Sequence, residues 1–348
     1  MKLNPTTLKR LKQFRSIKRG YYSFVLFMIC LLLAALAELW INSRAIVVKY
    51  EGHYYFPTYG AVIPGTTFGF DYDYETVYRD LQKRMAEQNE DGFVLMPLVP
   101  YNALENDFKE DAYPPAAPSL ESKHFLGTDK TGRDVLARVV YGFRIAIIFS
   151  LILLFFNYAI GMTVGSMMGF FGGKFDIIMQ RLIEIWTNVP FLYVIIILVS
   201  IFDATFALLI GIMVFFGWTG LTFYMRTTVL QEKVKEYALA ARVIGAGTFR
   251  TIFHHILPNT ISLIVTFIPF SVTGGITSLT SLDYLGFGLP PPTPSWGELM
   301  SQGMEQLEVA SWIIISVVSG MVAILVMITF IGEGIREAFD PKKYTTYE

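Results

Sequence analysis

Residues 231–259 read QEKVKEYALAARVIGAGTFRTIFHHILPN, a polar segment that separates two long apolar runs. The pattern predicts two short helices with a break at Gly245 and Gly247, and Gly245 is expected to adopt left-handed backbone angles. Thr248 is predicted to cap the second helix and Pro258 to end it. Both helices are too short and too polar to cross a membrane, so the segment is predicted to lie on lipid or to dock against another subunit.

Composition places the rest of the chain in a membrane. Of 348 residues, 53% are hydrophobic and 16% are charged, and the mean hydropathy is +0.47. A soluble domain of this length needs more charge to cover its surface. The net charge of −1 gives no electrostatic reason to expect a nucleic-acid partner. The single cysteine, Cys30, excludes an internal disulfide and a thiolate metal cluster.

Six apolar segments are near the ~20 residues that a helix needs to cross a bilayer. The first is too long for a cleaved signal peptide, so it is predicted to stay attached. The third is short unless it begins near Ile183, with Pro190 as a kink that a membrane helix tolerates. The sequence therefore predicts an all-α membrane protein with six transmembrane helices, at residues 21–41, 145–171, 189–202, 206–225, 261–282 and 312–331.

The distribution of Lys and Arg predicts the orientation, because cytoplasmic loops carry an excess of these residues. Residues 1–20 carry seven of them, and the segment 231–259 and the C-terminal tail carry more. Both termini are therefore predicted to be cytoplasmic. The predicted divisions are a basic tail at 1–20, the first helix at 21–41, an extracytoplasmic segment at 42–143, a five-helix core at 144–333 and a tail at 334–348.

The extracytoplasmic segment is too long for a simple connection between two helices. Aromatic and β-branched residues at 48–57 predict short strands, and mixed charges at 76–88 have helical spacing. Residues 42–143 contain 15 Asp or Glu against 10 Lys or Arg. The segment is predicted to be a small ordered elaboration. Its residues 42–121 are predicted to contact a delivery protein or to cap the external mouth, and the alternative is a folded lid that only rigidifies this subunit.

The segment 231–259 resembles the EAA loop of ABC importer permeases, whose pattern is EAA, three residues, Gly, nine residues, then I-x-LP. Leu239 stands where that pattern has Glu, and His255 stands where it has Ile. Glu236, one helical turn earlier, matches an acidic position common in peptide-type permeases. The resemblance implies coupling to a cytoplasmic ATPase through Glu236, Ala240, Ala241, Gly245, Leu257 and Pro258.

Four more segments resemble dipeptide and oligopeptide permeases, in the same order along the chain. They read HFLGTDKTGRDVLARVVYGFRI at 124–145, GFFGGKFD at 169–176, LDYLGFGLPPPTPSWGELM at 282–300 and GEGIREAFDPKK at 332–343. With the long outer segment, they most resemble the microcin C/oligopeptide branch of the family. The resemblance implies a type I ABC importer permease in the bacterial inner (plasma) membrane, with alternating access for a peptide substrate. The implied partners are a second permease subunit, two ATP-binding subunits or one fused ATPase, an extracytoplasmic peptide-binding protein and membrane lipid.

The sequence predicts no cofactor and no covalent chemistry. The GGK at 172–174 is not a phosphate loop, because Met168 occupies the position of the earlier glycine and Phe175 that of Ser or Thr. The histidines have no ligand partners at metal spacing, so no metal site is predicted.

Two features of the apolar segments remain. Gly161, Gly165 and Gly169 recur every four residues, which predicts close helix packing rather than a substrate contact. Asp283 begins a Gly- and Pro-rich segment that cannot continue a helix, and irregular backbone at membrane depth must be buried or line a cavity. Asp283 is therefore the candidate contact in the translocation pathway, and an interfacial location is the alternative.

Two other function classes stay open at this point. A secondary transporter driven by an ion gradient often shows repeats, broken helices and coupling charges, but the apolar segments contain almost no ionisable groups and no visible repeat. A membrane-embedded enzyme would need a catalytic constellation, and no Ser or Cys nucleophile has a base nearby in sequence.

Overall fold

The computed structural model describes residues 5–88, 92–108 and 113–339. Before the long central helix it contains four helices, a three-stranded sheet and a 3-10 turn. Their bounds are α1 Pro5–Ser16, α2 Lys18–Ala35, α3 Ala37–Trp40, β1 Val47–Tyr50, β2 His53–Tyr55, the 3-10 turn Gly65–Phe68, α4 Tyr78–Gln88 and β3 Gly92–Leu95.

From Val135 onward, the regular elements of the described chain are helices. Its longest element is α5, whose first turn Asp134 caps by accepting the backbone N–H of Ala137 at 2.7 Å. The helices are α5 Val135–Phe171, α6 Gly173–Thr187, α7 Phe191–Ile201, α8 Phe206–Gly217, α9 Thr219–Glu232, α10 Glu236–Val243, α11 Thr248–Arg250, the π-helical segment Thr251–Ile256, α12 Leu257–Val265, α13 Ile268–Tyr284, α14 Trp296–Glu305 and α15 Ser311–Phe339.

Within the residues that the structure describes, four helices are long and apolar enough to cross a membrane. They are Lys18–Ala35, Val135–Phe171, Phe206–Glu232 (α8 with α9) and Ser311–Phe339. A fifth crossing is possible if α6 and α7 count as one span, since they are bent by 64° at a short break. This bend lies at the predicted kink, because Pro190 has no backbone N–H to continue the helix.

The predicted crossing at 261–282 differs from the structure. A break before α13 divides it, and α13 has 17 residues, short of a full span. Pro269 explains the break, because its ring would clash with the preceding turn of a continuous helix. The structure therefore gives a mostly helical protein with four or five candidate spans, and a sixth crossing stays a prediction.

The glycines of α5 let it pack closely against α9. A methyl group added at Gly165 would lie 2.3 Å from the carbonyl oxygen of Thr222, and one at Gly169 would lie 2.5 Å from that of Arg226. Only residues without a side chain allow two helix backbones to approach so closely. The packing predicted from the four-residue glycine spacing is therefore confirmed.

The loop domain, which we define as residues 42–108, lies between α3 and α5. Its strands pair antiparallel in the order β2-β1-β3. β1 and β2 match the range 48–57 predicted for strands to within one residue, whereas β3 lies outside it and was not predicted. The helix α4 lies within the range with helical spacing. Val48 is fully buried in a core with Phe68 and Leu81. On the opposite face of the sheet, Tyr54 and Phe93 are exposed.

Candidate functional site

The hairpin, residues 231–259, turns at Gly245. This residue has φ +88°, which confirms the left-handed backbone expected there. The turn is stabilised by two hydrogen bonds that satisfy the last carbonyls of α10. The N–H of Ala246 donates to the carbonyl of Ala241 at 2.9 Å, and the N–H of Gly245 donates to that of Arg242 at 3.0 Å. This is the Schellman arrangement, which favours glycine because it has no Cβ to clash.

Two details of the predicted hairpin are wrong. Thr248 does not cap the second helix; it is the first helical residue, and Gly247 occupies the cap without a side-chain bond. Pro258 does not end the helix, which continues through α12 to Val265. The π-helical segment before Pro258 widens the backbone and relieves the clash that proline causes in a regular helix. The side chain of Asn259 also donates to the carbonyl of His255 at 2.7 Å.

The hairpin is attached to the membrane helices by one buried face. Ala238 and Ile256 are fully buried against Met225 and Val229 of α9. Beside them, the Nζ of Lys233 donates to the carbonyl of Gly169 at 2.7 Å, and its positive charge suits the C-terminal end of α5. The base of the hairpin is therefore fixed to α5 and α9, so a force on the hairpin reaches both helices.

The other side of the hairpin exposes large apolar residues at its turn. Val243 is 86% exposed and Ile244 is 83% exposed, although both are aliphatic. After the turn, the rings of Phe249 and Phe253 stack in parallel with centroids 6.1 Å apart, and both side chains are exposed. Apolar residues gathered on a short polar hairpin are typical of a surface that another molecule covers.

The structure gathers the predicted coupling residues on this hairpin but leaves Asp283 elsewhere. Ala241 is buried and Leu257 is half-buried, while the remaining four, Glu236, Ala240, Gly245 and Pro258, are exposed. Asp283 lies at the far end of α13. At 1.5 Å per residue it is about 22 Å along the helix from Ile268, where α13 begins next to α12.

Sequence reasoning missed the exposed apolar residues of the hairpin. The EAA pattern specifies small residues, glycine and proline, and it leaves Val243, Ile244 and Phe249 as unspecified positions. Their composition could have identified them, because bulky apolar residues next to a glycine break are unusual in an otherwise polar segment.

Asp283 is bound within its own chain. Its side chain is buried, and its two oxygens accept hydrogen bonds from the N–H of Leu289 at 2.7 Å and the hydroxyl of Ser295 at 2.5 Å. A methyl group at Gly297 would lie 2.6 Å from the Cβ of Asp283, so the chain folds tightly around this carboxylate. Asp283 also lines a cavity of about 540 Å³ with Lys130 and other residues. These contacts fit a residue that orders the turn between α13 and α14, and a pathway role stays a prediction.

A cluster of buried ion pairs joins two of the sequence motifs. Arg138, at the start of α5, is fully buried and pairs with Glu298 of α14. Arg133 lies 2.9 Å from the other oxygen of Glu298 and 2.8 Å from Asp129. We call Asp129, Arg133, Arg138 and Glu298 the ion cluster. Because buried charges are stable only when they are paired, the cluster holds the segment before α5 against α14.

His124 lies near the ion cluster between two carboxylates. Its Nδ1 is 2.8 Å from Asp134 and its Nε2 is 3.2 Å from Asp107, and its ring stacks on Tyr101 at 3.9 Å. Burial alone would lower the pKa of His124, but the hydrogen bonds and negative charges of Asp107 and Asp134 outweigh burial, so its pKa is raised. Over residues 5–88, 92–108 and 113–339, no three His, Cys, Asp or Glu side chains are placed to hold a metal ion.

Known proteins match both the membrane part and the whole chain. Residues 161–343 match the family described as the binding-protein-dependent transport system inner membrane component. The peptidoglycan transport system permease protein YejE of Agrobacterium fabrum is 37% identical over 365 residues, which cover 98% of this chain and 94% of that protein. The inner membrane ABC transporter permease protein YejE of Escherichia coli is 37% identical over 345 residues, covering 98% and 99%. The oligopeptide transport system permease protein OppC of Haemophilus influenzae is 37% identical over 227 residues, covering 65% and 73%.

Proposed function

This chain belongs to the family of binding-protein-dependent transport system inner membrane components, and we propose that it is the permease subunit of an ATP-driven peptide importer. As a family member it is a multi-pass inner-membrane transport component and not an enzyme. A peptide cargo is supported by the relatives, whose names specify peptidoglycan and oligopeptide transport. Carriage of microcin-like peptides stays a prediction from the sequence resemblance alone.

The observation that carries the proposal is the hairpin, which combines a fixed base with an uncovered apolar turn. Motion of an ATPase that covers Val243 and Ile244 would move the hairpin, and its buried contacts with α9 would pass that motion to the membrane helices. In this assignment the residues that couple to the ATPase are Glu236, Ala240, Ala241, Gly245, Leu257 and Pro258. A hairpin that only lay on lipid would not need so rigid an attachment to α5 and α9.

The partners follow from the same assignment. A single permease chain encloses half of a pathway, so a second permease subunit completes it. Two ATP-binding subunits or one fused ATPase supply the energy, and an extracytoplasmic peptide-binding protein delivers the cargo. The family description supports the binding protein, which it names, and the name of the Escherichia coli relative, an ABC transporter permease, supports the ATP-binding subunits.

The proposed topology has six crossings, with both termini in the cytoplasm and residues 42–143 outside. Single cysteines at Lys12 and Glu105, each introduced with Cys30→Ser, test it. An impermeant thiol reagent added to intact spheroplasts is expected to label position 105 and not position 12. Labelling at position 12 in intact spheroplasts would reverse the proposed orientation.

The loop domain is proposed to contact the binding protein through the exposed face of its sheet. Tyr54 and Phe93 flank Lys49 on that face, in register across the three strands. Aromatic side chains provide large contact areas at low entropic cost, which suits an interface. Replacing both aromatics with Ser is expected to lower stimulation of the ATPase by loaded binding protein, while a lid that only stabilises this subunit predicts unchanged stimulation.

Uptake in proteoliposomes tests the proposed function directly. The complete complex is reconstituted with ATP inside or outside the vesicles, and labelled peptide is presented with the binding protein. Import is expected only when ATP is on the side of the ATPase, and a protonophore should leave it unchanged. Import that needs an ion gradient and not ATP would support the secondary-transporter alternative instead.

A further inference from the structure

A cavity of about 370 Å³, open on one side, lies where α5, the junction of α8 with α9, and α13 meet. Its walls are largely apolar, with Leu153 and Phe267 among them. Four of its lining residues are polar and uncharged, namely Asn157, Tyr158, Tyr224 and Ser271. The volume is in the range of small-molecule sites, roughly 300–1,000 Å³.

Among the residues that line this cavity, Asn157 has a buried side-chain oxygen, Oδ1, that the described part of the protein leaves without a hydrogen-bond partner. In contrast, the neighbouring hydroxyls of Tyr158 and Ser271 bond each other at 2.8 Å. Asn157 also fits closely against α8, because a methyl group at Gly217 would lie 2.6 Å from its Nδ2.

The position of Asn157 makes this lack of a partner significant. It lies four residues before Gly161 on α5, so it shares the helix face that packs inside the bundle. It is about 33 Å along α5 from Val135, well inside an apolar helix. At membrane depth a polar side chain has little water to bond and is costly unless another group satisfies it.

The chemistry of the cavity indicates the kind of group that Asn157 binds. A carboxamide offers one acceptor oxygen and two N–H donors, which complement the N–H and C=O of a peptide bond. None of the lining residues is charged, so the cavity has no ion that would select for charged cargo side chains. We propose that Asn157 hydrogen-bonds a backbone amide of the peptide in transit, a contact that does not depend on peptide sequence.

This inference rests on the proposed function, because it assumes that the cargo is a peptide. The test compares import of a tripeptide with import of its depsipeptide analogue, in which an ester oxygen replaces one peptide N–H. The complete importer is reconstituted with wild-type chain, Asn157→Ala, the near-isosteric Asn157→Leu, or the control Thr163→Ala. Thr163 is on α5 outside the cavity, and its hydroxyl bonds the carbonyl of Ala159 in its own helix.

Wild-type and Thr163→Ala importers are expected to carry the tripeptide roughly three- to tenfold faster than at least one analogue, the effect of one net hydrogen bond. Both Asn157 variants should lose this preference, because they cannot accept the N–H. Discrimination by the binding protein is equal in all four complexes and cancels from the comparison.

The outcomes distinguish failure of the proposed peptide-import function from failure of the proposed contact between Asn157 and the peptide backbone. An importer with wild-type chain that carries no peptide contradicts the proposed function. Peptide import in which an assembled Asn157 variant keeps the wild-type preference overturns the inference alone. Failure of both variants to assemble also overturns it, because Asn157 would then pair within the assembly and not with cargo.

Discussion

The ion cluster and the hairpin lie near opposite ends of α5. They differ in whether their side chains are covered by the rest of the chain. Arg138 at one end and Gly169 at the other are about 47 Å apart along the helix. At the first end, buried charges pair with one another inside the chain. At the other, aliphatic and aromatic side chains remain uncovered. We infer that the first end stabilises this subunit, whereas the second contacts a partner in the proposed function.

The largest effect is expected from breaking the ion cluster. Arg138→Met leaves Glu298 without its fully buried partner, and removing one member of a buried pair costs about 3–5 kcal/mol. The variant is expected to unfold at a clearly lower temperature in detergent and to reach the membrane in smaller amounts. The matched control is Lys130→Ala, since Lys130 pairs with Glu305 at 2.7 Å on the surface and such pairs are worth about 0–1 kcal/mol. Equal losses of thermal stability in Arg138→Met and Lys130→Ala would show that the ion cluster does not stabilise this end of α5.

The next effect is expected at the hairpin, where the main loss is in coupling to the ATPase. Gly245→Val places a β-branched residue at φ +88°, which strains the backbone by about 1–3 kcal/mol and distorts the turn. The complex is expected to insert normally but to lose transport, through loss of the ATPase or through hydrolysis without import. Gly247→Ala is the control, because Gly247 has negative φ and open space around its Cβ position. Normal transport by the assembled Gly245→Val complex would show that the turn of the hairpin does not couple the ATPase to the membrane helices.

The stability of the end that carries the ion cluster is expected to depend on pH, through His124. Its pKa is raised in the folded chain, so protonated His124 stabilises this end below its unfolded pKa of about 6.5, and that stabilisation is lost as pH rises through the folded pKa. The groups facing it are Asp107, Asp134 and the ring of Tyr101. His124→Gln is expected to flatten the decline in the unfolding temperature of the chain as pH rises above the unfolded pKa of about 6.5. Identical pH profiles for both chains would mean that His124 does not titrate in this range.

The smallest effect is expected from Leu239→Glu, which restores the residue that the EAA pattern has at this position. Leu239 is nearly half exposed, so the new carboxylate stays in water and stability should change by less than about 0.5 kcal/mol. Transport rates measured beside wild type should agree within error. A clear loss of transport would show that the partner surface requires an apolar residue at position 239.

The two ends were not equally predictable from sequence. The break at Gly245 follows from local backbone rules, and so does the close packing of α5 at Gly165 and Gly169. The continuation of the helix past Pro258 could not be predicted, because it depends on a π turn that single-residue propensities do not encode. The pairing of Arg138 with Glu298 joins residues 160 positions apart, which no local pattern specifies.

Asp283 and Asn157 show a related limit of sequence reasoning. Asp283 was predicted to contact cargo because it is a charged residue beside an irregular segment. In the folded chain, however, both of its carboxylate oxygens accept hydrogen bonds. The neutral Asn157 was unremarkable in sequence, and its missing partner is visible only in three dimensions. Whether a polar residue is available for a ligand depends on its neighbours in space and not on its charge.

Photocrosslinking at the two ends tests whether the hairpin, and not the end with the ion cluster, contacts the ATPase. A photoreactive amino acid is placed at Ile244 in the turn of the hairpin, or at Val309 between α14 and α15, and both positions are well exposed. Cells that contain the complete transporter are irradiated, and the adducts are identified by mass spectrometry. We expect an adduct between position 244 and an ATP-binding subunit, and none with that subunit from position 309. Adducts of position 244 with lipid alone, or the same ATPase adduct from both positions, would contradict this expectation.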